Sequence, residues 1–237
     1  MSHHNPAMNT LPTDLAGLPL FPLRCVLFPG GYLPLRIFEV RYLDMIGRAH
    51  KAGTPFGVVC LTEGREVRTA PSRSTAESRR GDSFPHEAFH EIGTLARITQ
   101  LGRPNPGLMA ISCTGTQRFR IRSREQLKHG LWVADIELLS DDVGVGVPGD
   151  LEAAVTALRE VVKGMAERSG DPAEMPFQPP YRWDDCGWVA NRWCELLPLG
   201  AEHKQRLMTL DNPLLRLELV ADVLDQTGLA KSLSGRA

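Results

Sequence analysis

Cysteine is sparse and unpatterned. The five cysteines, Cys25, Cys60, Cys113, Cys186 and Cys194, are spread over 237 residues without a C-x-x-C pair. That spacing sets aside a disulfide framework and a structural zinc site, and predicts reduced, mostly buried thiols. Long apolar runs are missing too: no uncharged stretch approaches the roughly 20 residues of a membrane span. The start, Met1-Ser2-His3-His4-Asn5-Pro6, lacks the basic region of a secretory signal, so the expectation is a cytoplasmic protein with no membrane partner. An excess of one charge is also absent. With 27 basic and 28 acidic side chains the net charge is -1, so no global field favours DNA, RNA or an anionic membrane. Neither G-x-x-x-x-G-K-[ST] nor G-x-S-x-G occurs, which removes the usual marks of a P-loop ATPase and of an α/β-hydrolase serine.

What remains is an ordinary globular composition, 42% hydrophobic and 23% charged. A chain of this length buries roughly 70% of its unfolded surface and can fold alone. Along it, residues 1–17 read as a flexible tail, and Leu18-Pro19-Leu20-Phe21-Pro22-Leu23 as an apolar extended run. Its prolines, which cannot donate to a ladder, point to an edge strand or a strand start. Phe28-Pro29-Gly30-Gly31 is a turn, Tyr32 to Ile37 a strand, and Phe38 to His50 a helix with Val40, Leu43 and Ile46 on one face, stopped at Gly53. Phe56 to Leu61 reads as a buried strand, and residues 62–90 as a long mobile loop carrying Arg73, Arg79 and Arg80. Four strands follow, at Ile92 to Leu101, Leu108 to Thr114, Arg118 to Arg124 and Leu131 to Leu139, so residues 18–140 suggest a barrel or rolled sheet. Helical patterns then fill 141–228, at Leu151 to Glu167, Asp184 to Leu197, Ala201 to Leu210 and Pro213 to Gln226, with a proline-rich link at Met175 to Pro180 and a tail at 229–237. No internal repeat is present.

Four strings have a chemical look. His86-Glu87-Ala88-Phe89-His90 matches H-E-x-x-H, which on a helix would hold zinc between two histidines while the glutamate activates water. Strand pattern begins again at Ile92, leaving about one helical turn, and Ala96 occupies the third-histidine position of the longer signature. The preferred reading is polar loop side chains before a strand, with His86 and His90 kept as the metal alternative. Gly144-Val145-Gly146-Val147-Pro148-Gly149 has G-x-G-x-x-G spacing. Pro148 removes a donor where a pyrophosphate needs one, and Asp141, Asp142 and Asp150 add like charge, so a hinge is preferred and no cofactor is expected. Arg118, Arg120 and Arg122 alternate with Phe119 and Ile121, placing three guanidinium groups on one strand face: a solvated face, or alternatively an RNA stripe. Trp183, Trp188 and Trp193, five residues apart, spread around a helix axis and read as packing rather than a ligand cage.

A family resemblance adds to this. Leu18 to Leu23, Val26-Leu27-Phe28-Pro29-Gly30, Leu33-Pro34-Leu35-Arg36-Ile37-Phe38-Glu39 and Arg41-Tyr42 resemble the opening of the Lon protease N-terminal domain. Ile92 to Ile98 is similar to the family's G-T-x-A-x-I strand and Gly115 to Ile121 to its G-x-x-R-F-x-I strand. Glu195-Leu196-Leu197-Pro198-Leu199, Lys204 to Met208 and Asp211 are similar to its closing helices. The resemblance runs from about Leu18 to about Gln226. It implies an α+β fold, a PUA-like pseudo-barrel β domain followed by an α-helical subdomain, with His90 at the mouth of a barrel strand. It also implies a non-catalytic module for protein or unfolded polypeptide segments, standing alone here without the ATPase and Ser-Lys peptidase that follow in Lon proteases. The candidate peptide-binding residues are Leu20 and Phe21 on the supposed edge strand, with Arg36, Glu39, Arg41 and Tyr42 from the family's N-terminal block. Glu39 and Arg41 are alternatively a cap and a pair at a helix start.

Overall fold

The computed structural model describes residues 14–63, 87–169, 175–177 and 179–228. The architecture is α+β: a seven-stranded, mostly antiparallel sheet, one helix packed on it, and a helical part after it. The strands are β1 Asp14–Leu23, β2 Tyr32–Ile37, β3 Phe56–Glu63, β4 Ala88–Phe89, β5 Ile92–Asn105, β6 Leu108–Gln126 and β7 Trp132–Leu138. Helix α1, Val40–Ala52, lies between β2 and β3; α2 Glu152–Ser169, α3 Cys186–Leu196, α4 Ala201–Thr209 and α5 Pro213–Gln226 follow the sheet.

The order β1-β7-β6-β5-β3 is closed into a ring by a parallel β1–β3 pairing, with Leu20 opposite Gly57 and Leu23 opposite Cys60. This corrects the edge reading of Leu18 to Leu23, because β1 has a partner on each side. The β7 ladder ends at Leu20 and the β3 ladder begins there, so each of Pro19 and Pro22 lies within one ladder and removes a donor from only one. Four residues assigned to the N-terminal tail, 14–17, are also strand, with the Gly17 amide donating to Asp135 at 3.0 Å. The segments 64–86 of the supposed loop and 229–237 of the tail lie outside the described residues.

All five ring strands point residues inward, Leu18 and Leu20, Val59, Leu95, Phe119 and Ile121, Ala134 and Ile136, which fill the barrel. Phe119 is fully buried there because Gly57 and Gly93 leave room for its ring: a methyl group at either would sit 2.8 or 2.7 Å from its Cζ. Truncating such a side chain costs about 3–5 kcal/mol. The opposite face of β1, β3 and β6 packs under α1 and β2 in a second cluster that includes Phe21, Leu23, Ile37, Tyr42, Met45, Ile46, Phe56 and Val58. Strands buried on both faces read as continuous apolar runs, which is why β3 shows no alternation.

Two expected strands are one. β6 continues through Gly115, whose amide donates to Gly31 O and whose carbonyl accepts from Gly30 N, both at 2.8 Å. A side chain at Gly115 would collide with the Phe28 carbonyl, so the glycine marks a close backbone crossing rather than a break. In α1 the buried stripe is Tyr42, Met45, Ile46 and Ala49. Val40, expected on the core face, is 80% exposed. Gly53 ends the helix in the left-handed conformation at φ 66°, its amide bonded to Ala49 and His50 carbonyls.

Phe28 leaves the sheet to join the core of the helical part, with Leu158, Phe177, Val189, Trp193, Leu217 and Val220. Local signals set the helices: Asp185 Oδ1 accepts from Trp188 N at 2.7 Å at the start of α3, and Asn212 Oδ1 accepts from Leu214 N and Leu215 N ahead of Pro213 in α5. Because α3 begins at Cys186, Trp183 sits in the turn before it and meets Trp188 edge-on, ring centroids 4.9 Å apart, instead of lying on the helix as expected. Trp193 is core, its Nε1 donating to Ala154 O at 2.9 Å.

Candidate peptide-binding site

The corner where β2 runs into α1 combines exposed apolar side chains with a fixed polar frame. Phe38 is 52% exposed and Val40 80%. Beside them lies a hollow of about 100 Å³ lined by Phe21, Leu23, Leu35, Arg36, Ile37, Phe38, Glu39 and Tyr42. On the other side of Leu35 and Arg36, a shallow groove of about 660 Å³ runs over Pro34, Leu101, Ala110 and Ile111. Beneath the corner, Arg41 is buried and fully engaged. Its Nε meets Glu39 Oε2 at 3.1 Å, one terminal nitrogen donates to Gly130 O at 2.6 Å, and the other meets Glu87 Oε1 at 3.3 Å. Glu87 accepts a second bond from Trp132 Nε1 at 2.8 Å. Tyr42 stacks on Phe21 with centroids 4.1 Å apart and lies under the Arg41 guanidinium. These contacts hold the α1 N-terminus to the barrel, so the apolar corner is presented by a rigid support.

The sequence candidates sort by burial. Phe21, Arg36, Glu39 and Tyr42 are brought together around the hollow, whereas Leu20 and Arg41 do not line it. Leu20 is 0% exposed in the barrel interior, so its proposed contact with a peptide is withdrawn. Phe21 is 6% exposed and contributes to the wall of the hollow rather than to an open edge. Glu39 does pair with Arg41 but does not cap α1 through its side chain; its carbonyl accepts from Tyr42 N and Leu43 N.

The other strings find structural uses. Glu87 to His90 is extended rather than helical, with Ala88–Phe89 as β4 and His90 N donating to Cys60 O at 3.0 Å. Glu87 is committed to Arg41 and Trp132 and cannot serve a metal-bound water; it lies directly before a strand, as the preferred reading has it, and is buried there. His90 Nε2 lies 3.2 Å from Glu202 of α4, and His86 is outside the described residues. Gly144 to Gly149 is zipped to the start of α3, with Gly146 bridging Asp185 and Cys186 N donating to Val145 O. Of the arginine row, Arg118 is buried between barrel and helices, donating to the Met208 and Leu210 carbonyls and meeting Asp142 at 3.5 Å and Asp211 at 3.1 Å. Arg122 is paired with Glu137 and Arg120 is exposed with no ion pair among the described residues, so with Arg118 buried the three do not form one solvent-facing row of free guanidinium groups.

A family model described as the ATP-dependent protease La (LON) substrate-binding domain matches residues 17–226. The chain belongs to this family. Among curated relatives, a Lon protease of Flavobacterium johnsoniae is 27% identical over 200 residues, covering 82% of this chain and 22% of that protein. One of Anaeromyxobacter dehalogenans is 25% identical over 228 residues, 93% of this chain and 24% of that protein. The chain thus spans about a quarter or less of these relatives' lengths. The crystal structure of a Lon N-terminal domain protein from Xanthomonas campestris superposes with a TM-score of 0.64 at 27% identity, covering 88% of this chain and 98% of that one.

Within the Lon substrate-binding family, the opening block that carried the resemblance is therefore mostly scaffold. Arg41 and Tyr42 are buried, and the exposed members of the corner are Phe38, Val40 and Arg36. Phe38 and Val40 are not among the sequence candidates, and spacing by three places Val40 on the core face. Among the described residues no helix is long and apolar enough to cross a membrane.

Proposed function

We propose that this chain is a non-catalytic module that binds extended, apolar stretches of polypeptide at the β2–α1 corner. The observation carrying this reading is the pair Phe38 and Val40, exposed beside a hollow walled by Phe21, Leu23, Leu35, Ile37 and Tyr42. Full burial of such a side chain is worth about 1.5–3 kcal/mol, and a partner covering Phe38, 52% exposed, and Val40, 80% exposed, gains the corresponding fraction of that for each. The Lon family's substrate-binding role supports the same reading.

The test is a peptide array derived from an unfolded protein, followed by titration of the best-binding peptides into the full chain. Saturable binding is expected, and the double change Phe38→Asp and Val40→Asp is expected to weaken it by at least about tenfold. Melting should shift little, because surface substitutions usually stay within about 0.5 kcal/mol. Absence of saturable binding, or binding unaffected by the double change, overturns the proposal.

A further inference from the structure

Among the described residues, strand β2 is hydrogen-bonded to another strand along one side only. Its partner is β6, in the register Leu33 to Cys113, Pro34 to Ser112 and Leu35 to Ile111. Proline has no N–H, so Pro34 and Ser112 cannot exchange bonds and must be the widely spaced kind of antiparallel pair. Leu33 with Cys113 and Leu35 with Ile111 are then the bonded pairs. By alternation, the amides of Tyr32 and Arg36 and the carbonyls of Tyr32, Pro34 and Arg36 face the other way. Among the described residues no strand and no backbone group takes up that outward row.

Space lies beside it. The hollow of about 100 Å³ is bounded by Leu35 to Glu39 and by Phe21 and Leu23, and a second, of about 350 Å³, by Tyr32 and Leu33 and by Arg24 to Leu27. An unpaired row of amides and carbonyls is matched best by another backbone. Charge selects further. Arg36 is the only charged residue lining the groove beside Pro34 and Leu101, and it has no ion pair among the described residues. The other charge at the smaller hollow, Glu39, is held by Arg41.

Resting on the proposed peptide-binding role, we infer that the bound polypeptide adds to the outer edge of β2 as an extra strand and sets an acidic side chain against Arg36. Backbone bonds then supply sequence-tolerant affinity, and the Phe38 and Val40 surface together with Arg36 selects an apolar segment carrying a carboxylate.

The experiment uses the full chain and the tightest peptide from the array, unmodified and in two forms N-methylated on alternate amides. A strand directs alternate amides to opposite sides, so one methylated form is expected to lose at least about tenfold in affinity while the other binds nearly as the parent. On the protein, Arg36→Ala removes the charged side chain but keeps the backbone amide, and is expected to weaken an acidic peptide by about 2- to 5-fold more than its neutral amide analogue. Arg36→Pro also removes the outward amide while sparing the β6 ladder, and should weaken both peptides further. If the peptide binds but both methylated forms bind equally well, strand addition fails while the peptide-binding role stands. If no peptide binds at all, both fail. The methylated peptides are tested on the unaltered protein, so poor folding of Arg36→Pro cannot obscure the outcome.

Discussion

Replacing Asp142 by alanine should cost more than any exposed charge removal in this protein. Asp142 Oδ2 accepts from Arg216 at 2.6 Å and Oδ1 accepts from the same guanidinium at 3.0 Å, a bidentate pair, while Oδ1 also faces Arg118 at 3.5 Å. The two arginine side chains are 1% and 4% exposed. In the alanine variant Arg118 keeps Asp211 at 3.1 Å, whereas Arg216 keeps only neutral acceptors, Asn191 Oδ1 and the Leu207 and Leu210 carbonyls. A buried guanidinium without its carboxylate costs about 3–5 kcal/mol. For a domain of this size that corresponds to a melting temperature lower by roughly 6–20 °C. Urea and thermal unfolding followed by circular dichroism measure it, with Arg122→Ala as the matched control: the Arg122–Glu137 pair is surface-exposed and should contribute under about 1 kcal/mol. An Asp142→Ala variant within about 1 kcal/mol of the parent would refute the reasoning that this carboxylate neutralises the barrel–helix junction.

Two further outcomes follow from titratable groups. Burial, partly offset by Arg192 and Lys204, pushes the Glu195 carboxyl up from 4.5 to about 7. Because the folded value lies above the ordinary one, the group's contribution to stability is complete below about pH 4.5 and is lost as pH rises through about 7. The parent should therefore lose stability between pH 5 and pH 8 relative to Glu195→Gln, and parallel profiles for the two proteins would contradict it. Burial also pushes the Cys113 and Cys194 thiols up to about 12, and Cys60 and Cys186 are buried, so only exposed Cys25 should react rapidly with a thiol reagent at pH 8. Two or more fast-reacting thiols in the native protein would count against this core.

Where local chemistry decides an element, the sequence was legible. Tyr32 to Ile37 and Pro213 to Gln226 were read to the residue, the latter because Asn212 caps a helix that opens on proline. The spacing of strand and helix patterns gave the strands-then-helices order, and the Lon-family blocks agree with it. Long-range contacts were not legible. Gly115 falls between the expected strands Leu108 to Thr114 and Arg118 to Arg124 and is a close crossing within one strand, because the Phe28 carbonyl it makes room for is far away in the chain. Spacing by three from Val40 caught Ile46, which is buried, but put exposed Val40 on the core face, since only the position of the barrel decides that Tyr42, Met45 and Ala49 face inward. Arg118 resembles its exposed neighbour Arg120 in every local respect, and differs because α4 and α5 carbonyls and two aspartates close over it. The same holds at the β2–α1 corner: the family block named residues that build it, and only the fold shows which of them are buried and which are exposed.

The ring closed by β1 has a consequence for synthesis. Its β3 partner is near in the chain, Leu20 facing Gly57, but its other neighbour is β7, and Gly17 and Asp135 are 118 positions apart. At about 5–20 residues per second, on the order of ten seconds separate the emergence of these two strands from the ribosome. Throughout that interval β1 can be covered along one side at most, with Leu18 and Leu20 lacking the Ala134 and Trp132 positions they later face. Until β7 emerges, a strand that ends as a buried wall of the barrel is itself an exposed, apolar, extended chain.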